Sequence, residues 1–489
     1  MGGDVTNRDI RASGRSRRDH TADTRSEGQR DSDRIIYSAA WRRLAGVTQV
    51  ITPFEEMPSM HNRLTHSEKV AQVARSIADH LMDDDNQWSL IDTLGGLDAD
   101  VCEAAGFAHD LGHPPFGHVG EEVLDHEART TLKLADGFEG NAQSFRIVSQ
   151  GKIRSSKYEG LDLTMATLAA VAKYPWTRTP TLADDHEGKL DSDSDYRRRW
   201  LKFNAYESEA PLLADCRQFA TGIGAEVQTL EASVMDAADD ITYAIHDLED
   251  FYLGGIVDVS AIREDVDAFL ERSSGVGAQR ATPFVALSRR LKVDYADYFD
   301  DEALEHAAGE VSKQLKMGMG GRHHPLSQIE ARARGMGSDL IGRYINAIVV
   351  KPTPLWTHGP HVGLAQSEWH EVQLWKEITK SYVIQRPDIA LLQRGQQAIL
   401  EGLVQLLNRW VDGDRKRLPA RLRGEVEIAE GLADGSLSAG YGKEQHAPRG
   451  AAKRAILDYL CTLTDVQCTA LFQKLSGVQV HRVSIGGAF

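Results

Sequence analysis

Between Phe107 and Glu121 the chain packs three histidines and two carboxylates into fifteen positions: Phe107-Ala108-His109-Asp110-Leu111-Gly112-His113-Pro114-Pro115-Phe116-Gly117-His118-Val119-Gly120-Glu121. Adjacent His109 and Asp110 cannot share a helix face, so they suit a ligand pair at a helix end. Gly112 reads as a helix C-cap, Pro114 and Pro115 stiffen the following turn, and Gly117 and Gly120 let backbone come close to a bound group. A histidine-rich surface loop is the alternative, and the apolar helices on both sides argue against it. With His66 and Asp239 the pair makes an N₂O₂ ligand set, suited to one divalent ion: Mn²⁺, Fe²⁺, Co²⁺, Ni²⁺ or Zn²⁺, with Mg²⁺ tolerated. Four protein ligands in one plane leave two positions for water and a substrate oxygen, the arrangement that polarises a phosphoryl group and lowers the pKa of water. His118 and Glu121, three apart at the start of the next helix, form a base-orienter or acid-orienter pair.

The elements that must position these groups are helical. Apolar residues begin near Ile35 and run to a helix end near Ala45-Gly46, followed by a short β-prone piece, Val47 to Pro53. Thr65 with Glu68 reads as a capping box. It opens a helix whose buried stripe is Val70, Val73, Ala74, Ile77 and Leu81, with His66 on the same stripe. A lone histidine there is ordinarily a satisfied core residue; its partners change that reading. Val101 to Ala108 leads into the opening motif. Glu226 to Phe251 reads as one helix, buried along Val227, Leu230, Val234, Ala238, Ile241, Ile245 and Leu248. Its second stripe, Asp239, Tyr243 and Asp247, is spaced i, i+4, i+8. Either Asp239 or Asp240 can be the ligand; the i+4 relation to Tyr243 favours Asp239.

Later apolar runs (Leu340 to Val350, Ile389 to Leu407, Ala451 to Leu471) are also helical, with a loop over 431–450, and no strand-rich region is expected. The fold class is all-α. Residues 1–33, rich in Arg, Asp, Ser and Gly, read as a disordered tail. Residues 34–260 form the metal-binding core, and 261–489 a C-terminal helical region that completes the site or an oligomer interface.

Of the 489 residues, 41% are hydrophobic and 26% charged, the proportions of an ordinary globular protein. No apolar run reaches the roughly 18 residues of a membrane span, no signal peptide is expected, and the four scattered cysteines suit reduced thiols in a cytoplasm. The net charge of −16 disfavours a general nucleic-acid coat. An anionic substrate would need local Arg, Lys and metal. The basic cluster Arg415-Lys416-Arg417 with Arg421 and Arg423 reads as a solvated patch.

His66, His109-Asp110 and Asp239 match the H…HD…D signature of the HD-domain phosphohydrolases. Within them the chain resembles the deoxyguanosinetriphosphate triphosphohydrolase (dGTPase) family. The resemblance rests on Arg42-Arg43-Leu44 through Thr48-Gln49-Val50, Asn62 to Ser67, the 107–121 motif, Phe138 to Gln143, Gly160 to Thr164, Lys173-Tyr174-Pro175-Trp176, and Ala238 to Tyr243 with Asp247 to Asp250. These blocks cover about residues 33–255.

The resemblance implies a helical HD core that hydrolyses a deoxynucleoside triphosphate (dNTP) to deoxynucleoside and inorganic triphosphate, with dGTP foremost. His66, His109, Asp110 and Asp239 would hold the ion, Mg²⁺ or Mn²⁺ first. His118 and Glu121 would be catalytic. Tyr243 and Asp247 would line the sugar, Tyr243 so placed that a 2′-OH would clash. Gln49 would meet the 3′-OH, Arg63 the α-phosphate and base edge, and His113 a phosphate. A homo-oligomer, up to a hexamer, is implied too, with a second dNTP as effector and single-stranded DNA as modulator among the open partners. Two departures stand out. Gly140-Asn141 replaces a further catalytic histidine of some relatives, and residues 1–33 and 180–200 have no counterpart. An HD enzyme acting on monophosphates or cyclic dinucleotides would share the ligands but not the Tyr243/Asp247 pair. A regulatory nucleic-acid-binding scaffold would keep the fold without turnover.

Overall fold

The computed structural model describes residues 7–14, 23–49, 61–84, 86–150, 158–178, 201–273, 281–319, 326–357, 359–433 and 448–478. The loop expected over 180–200 and most of that over 431–450 lie outside these residues. Among the described residues the fold is all-α apart from one two-stranded antiparallel hairpin.

Helix α1 (Glu27–Ile36) starts at a capping box made by Ser26 and Gln29. α2 (Ala39–Arg43) follows and leads to the long α3 (Arg63–Met82). All five stripe residues of α3 and His66 are buried. Its cap is Asn62 rather than Thr65: the Asn62 side chain accepts from Thr65 N, and Thr65 is the third helical residue. After α4 (Trp88–Thr93), α5 (Ala99–Ala108) packs tightly along α3 and delivers His109 as its C-cap residue. Then come α6 (Gly117–Thr130), α7 (Gly140–Ser149), α8 (Met165–Val171) and α9 (Ala210–Cys216).

The helix expected over 226–251 is three pieces. α10 (Leu230–Thr242) gives way to a π-helical turn over Tyr243–Asp247, and α11 (Leu248–Leu253) continues it. Single π turns inside α-helices are frequent at functional sites. α12 (Val259–Ser273), α13 (Pro283–Asp294), α14 (Asp301–Gly318) and α15 (Leu326–Asn346) precede the hairpin of β1 (Ile348–Val350) and β2 (Val362–Leu364). The expected helical run Leu340 to Val350 therefore ends at Asn346. α16 (Gln366–Thr379), α17 (Pro387–Asp412), α18 (Ala420–Ala433), α19 (Pro448–Leu460) and α20 (Asp465–Ser476) complete the chain.

The core does not stop at residue 260. One apolar cluster joins Val70, Ile77 and Ile241 to Leu287, Val311, Leu340 and Trp375. A second joins Phe116, within the 107–121 motif, and Leu124, just beyond it, to Leu403, Leu457 and Leu471. Asp465, the first residue of α20, accepts hydrogen bonds from Phe116 N (2.9 Å) and Thr48 N (3.0 Å). Phe116 sits at φ +67°, a left-handed conformation that costs a bulky residue strain. Asp465→Ala removes the buried acceptor for both amides, so a loss of about 3 kcal/mol is expected in denaturant unfolding.

Part of the segment expected as a disordered tail is built into the fold, and this corrects the boundary at residue 33. Arg11 is buried; its Nη1 donates to Asp31 Oδ1 (2.6 Å) and to Asp162 O (2.8 Å), while Ala12 N donates to Leu163 O (3.0 Å). Polar composition suggested a disordered tail, but the Arg11 charge is neutralised inside the protein by Asp31. Residues 1–6 and 15–22 lie outside the described residues.

Candidate active site

The end of α5, the start of α3 and the end of α10 converge on three ligand atoms. His66, His109 and Asp239 each offer one atom within 4.8 Å of the others. His66 Nε2 lies 3.1 Å from Asp239 Oδ1, and His109 Nε2 lies 3.7 Å from the same oxygen. His109 Nδ1 donates to Gly106 O (2.8 Å), which fixes the tautomer. The lone pair left on Nε2 is buried, without a hydrogen-bond partner, and directed at the two carboxylates. This donor set fits a divalent ion.

Asp110 stands beside this group. Its Oδ1 is 3.5 Å from His109 Nε2 and 3.0 Å from His113 Nδ1, and Oδ2 accepts from Arg63 Nη1 at 2.7 Å. Burial opposes ionisation, but Arg63 and the surrounding imidazoles hold the Asp110 carboxyl well below the usual range. Asp239 is likewise held low against burial, chiefly by Lys173 and His66. Asp240 faces the other way and pairs with Lys376 Nζ (2.8 Å). Of the two aspartates, Asp239 is the one turned to the histidines.

A polar chain leads from Asp110 to solvent. His113 Nε2 approaches Glu121 Oε1 (3.5 Å), and Glu121 Oε2 meets His118 Nδ1 (2.8 Å). Burial, with the nearby Arg63 guanidinium, presses His113 down to about 3, so it is neutral at physiological pH. Glu121 is kept ionised despite burial by the Lys202 charge and the hydrogen bond from His118. The His118 side chain is 60% exposed, so a carboxylate-oriented imidazole stands at the mouth of the site.

One expected feature has a different physical basis. Gly112 is not a C-cap; a Cβ there would lie 2.1 Å from Ser144 N, so it allows α7 to press against the motif. Ser144 Oγ then accepts from Gly112 N (2.9 Å) and donates to His109 O (2.7 Å). Gly117, at φ +59°, does lie close to functional groups, its Cβ direction pointing at Arg63 Nη2.

Tyr243 and Asp247 follow Asp239 along the chain, at the two ends of the π turn, and both feel the Asp239 charge. Burial, reinforced by Asp250 and Asp239, raises Asp247 well above the ordinary carboxylate range, and its Oδ2 has no hydrogen-bond partner. Burial, with Asp247, also raises the Tyr243 phenol. Gln49 is buried and its Oε1 is unpartnered. Arg63 donates through Nε to Thr48 O (3.1 Å), leaving Nη2 unpartnered.

The sequence reading assigned no role to two lysines. Lys173 Nζ bridges Asp236 (2.6 Å) and Asp239 Oδ2 (3.1 Å). Lys202 lies 3.8 Å from Glu139, and Glu121, Tyr174 and Glu139 raise it despite burial. The block Lys173 to Trp176 was visible in the sequence, but the carboxylates that Lys173 meets lie on α10, far along the chain. Glu139 itself is pushed up to about 7 from about 4.5, burial outweighing Lys202. A carboxyl raised in the folded state adds stability that is full below pH 4.5 and is lost as pH rises through 7. Glu139→Gln removes this dependence. The stability of the natural protein relative to that variant is therefore expected to fall between pH 5 and 8, as thermal unfolding at the two pH values will read.

The basic cluster is largely neutralised: Arg415 pairs with Glu430 (2.6 Å), Arg417 approaches Asp414 (3.7 Å) and Arg423 approaches Glu427 (3.9 Å).

With this geometry in place, the comparisons with known proteins decide the family. The HD domain model matches residues 63–244, the span from Arg63 through His66 and the His109-Asp110 pair to just beyond Asp239. A deoxyguanosinetriphosphate triphosphohydrolase-like protein of Streptomyces coelicolor is 32% identical, the match covering 93% of each chain. The chain belongs to the deoxyguanosinetriphosphate triphosphohydrolase-like HD family. A relative of the same name from Corynebacterium diphtheriae is 33% identical over 84% of this chain and 86% of its own. One from Mesorhizobium japonicum is 35% identical over 51% of each. A nucleotide triphosphohydrolase, in an HD framework with His and Asp groups able to hold a metal, is what this membership supports. No helix among the described residues is long and apolar enough to cross a membrane.

Proposed function

We propose that the protein hydrolyses dNTPs, dGTP foremost, to deoxynucleoside and inorganic triphosphate, with water attacking the α-phosphorus and the 5′ oxygen leaving. One observation carries the reading. The His66/His109/Asp239 group is linked through Asp110, His113 and Glu121 to the oriented His118, and it adjoins Tyr243 and Asp247.

His66, His109 and Asp239, with Asp110 drawn in, would hold a divalent ion, Mg²⁺ or Mn²⁺ first; when bound it polarises a phosphoryl oxygen and makes water more acidic. The chain's own groups supply the rest. Lys173 and Lys202 bring positive charge to a site otherwise rich in carboxylates, as a triphosphate requires. The first turn of α6 has no side-chain cap, so its amides and dipole also favour an anion. Ionised Glu121 accepts from His118 Nδ1–H, holding the ring so that Nε2 delivers a proton to the leaving 5′ oxygen. Arg63, through its unpartnered Nη2, reaches the α-phosphate, and neutral His113 a further phosphate oxygen. Tyr243 and Asp247 face the sugar, and Gln49, through its unpartnered Oε1, accepts from the 3′-OH. A homo-oligomer, a second dNTP as effector and single-stranded DNA as modulator belong to the same proposal.

The test is incubation of the purified protein with each dNTP, with dNTP mixtures and with GTP, in Mg²⁺ or Mn²⁺, the products being separated by anion exchange. Inorganic triphosphate and free deoxynucleoside are expected, fastest from dGTP and not from GTP. Silence with every dNTP and every mixture would remove the reading.

A further inference from the structure

Apart from the His66/His109/Asp239 group, a second set of metal-ligating atoms gathers at the mouth of the site. His113, His118 and Glu121 each offer one atom, and these atoms lie within 4.8 Å of one another. His118 and Glu121 come from the start of α6, three positions apart and so on one side of the helix. His113 reaches them from the turn before it. Its own backbone N–H donates to Asp110 O (3.1 Å) and its carbonyl accepts from Arg43 Nη2 (2.5 Å), so the backbone that carries the ring is pinned on both sides.

The three groups face one point. Glu121 Oε1 stands 3.5 Å from His113 Nε2, Oε2 stands 2.8 Å from His118 Nδ1, and the two rings meet edge to face with centroids 5.9 Å apart. His113 is buried, and its Nδ1 has no hydrogen-bond partner although Asp110 Oδ1 is 3.0 Å away. With a single N–H, a ring between two carboxylates serves one and turns a lone pair toward the other. A cation completes that arrangement. Gly140 makes the room: a Cβ there would lie 2.3 Å from Glu121 Oε1 and 3.2 Å from His113 Cε1. Two imidazoles and a carboxylate are the donors of open zinc sites, with a fourth position for water. Mg²⁺ and Mn²⁺ prefer oxygen ligands and gain little from them. Arg63 and Lys202 bring positive charge close to His113 and Glu121, so this group fills after His66/His109/Asp239, not before.

We propose that His113, Glu121 and His118 form a second cation site, selective for Zn²⁺, whose occupancy arrests turnover. The arrest rests on the dNTP reading of the adjoining site; the binding does not. Zn²⁺ takes the His118 Nδ1 lone pair and the Glu121 carboxylate, the two partners of the orienting hydrogen bond. A zinc-bound His118 is no longer an imidazolium backed by a carboxylate, so it gives up its Nε2 proton poorly. The ion also occupies His113, the group assigned to a phosphate oxygen.

Equilibrium dialysis counts zinc per chain in the full-length natural protein and in Asp239→Asn, His118→Ala and Glu121→Gln. The His118 side chain is 60% exposed, so its removal leaves the fold standing. The natural protein is expected to hold one equivalent more than each variant, while Mn²⁺ binding persists in His118→Ala. In a Mn²⁺ assay, zinc that fills the second equivalent should slow triphosphate release by about 10²-fold or more, as loss of a positioned proton donor does, and should change the residual rate of Glu121→Gln by less than about twofold. An unchanged zinc count in His118→Ala and Glu121→Gln overturns the site. Equal inhibition of the natural protein and Glu121→Gln places the effect at the first ion and overturns the arrest. A count that falls in both variants, in a protein that releases no triphosphate from any dNTP, supports the site and removes only the reaction.

Discussion

Asp239→Asn is expected to lower triphosphate release by on the order of 10³-fold or more, because a ligating carboxylate carries several kcal/mol of transition-state stabilisation. The substitution is nearly isosteric, so the fold should survive; α10 is held by Val234, Ala238 and Ile241 in the main core, not by this side chain. What changes is charge. Asp239 Oδ1 faces both His66 Nε2 and His109 Nε2, and Oδ2 faces Lys173. A neutral amide gives the ion one anionic ligand fewer, and Lys173 keeps only Asp236 as its short carboxylate partner. Two measurements check this together. Mn²⁺ should raise the unfolding temperature of the natural protein, since an ion bound only by the folded state stabilises it, and this rise should vanish in Asp239→Asn. Asp240→Asn is the control: Asp240 faces Lys376, so turnover and the metal-dependent shift should both persist. Equal losses in the two variants would mean that the ligand assignment is wrong.

The sequence spoke most clearly where a single periodicity decides the structure. The α3 stripe is legible because burying one side of a helix needs apolar residues every three or four positions, and nothing else fits Val70 to Leu81. The cap of α3 was misplaced by three residues because Thr65 and Asn62 are both good caps, and only the backbone shows which amide lacks a partner. The site was legible as residue types: His66, His109 and Asp239 are together as their chemistry demanded. Their supporting partners were not. Arg63 and Asp110, Lys173 and Asp239, and Asp465 and Phe116 meet across 47, 66 and 349 positions. No local pattern encodes such pairings. The π turn was equally hidden, since Asp239, Tyr243 and Asp247 satisfy an ordinary helical spacing and the wider turn changes no residue type. Arg11 shows the same limit from the other side: composition marks charged residues as exposed unless their partners are already known.

His118→Ala is expected to reduce the rate by about 10²- to 10⁴-fold, the range that a positioned proton donor contributes. The loss should fall on the rate with bound substrate, leaving metal affinity intact. His118 is exposed and lies outside the His66/His109/Asp239 group, so neither the fold nor the ion site depends on it. Glu121→Gln separates orientation from proton transfer. Glu121 contacts His118 Nδ1, His113 Nε2 and, through Oε1, Gly140 N (3.1 Å). The amide can keep two of these contacts but cannot stabilise an imidazolium, so a smaller loss than in His118→Ala is expected, with the double variant no worse than His118→Ala alone. That non-additivity is the decisive reading, because two residues acting through one proton cannot each be lost in full. Independent, additive losses would show that Glu121 works elsewhere, on His113 or on the Lys202 side of the site. Full activity in His118→Ala would move proton delivery to water and leave the His118–Glu121 pair without a catalytic role.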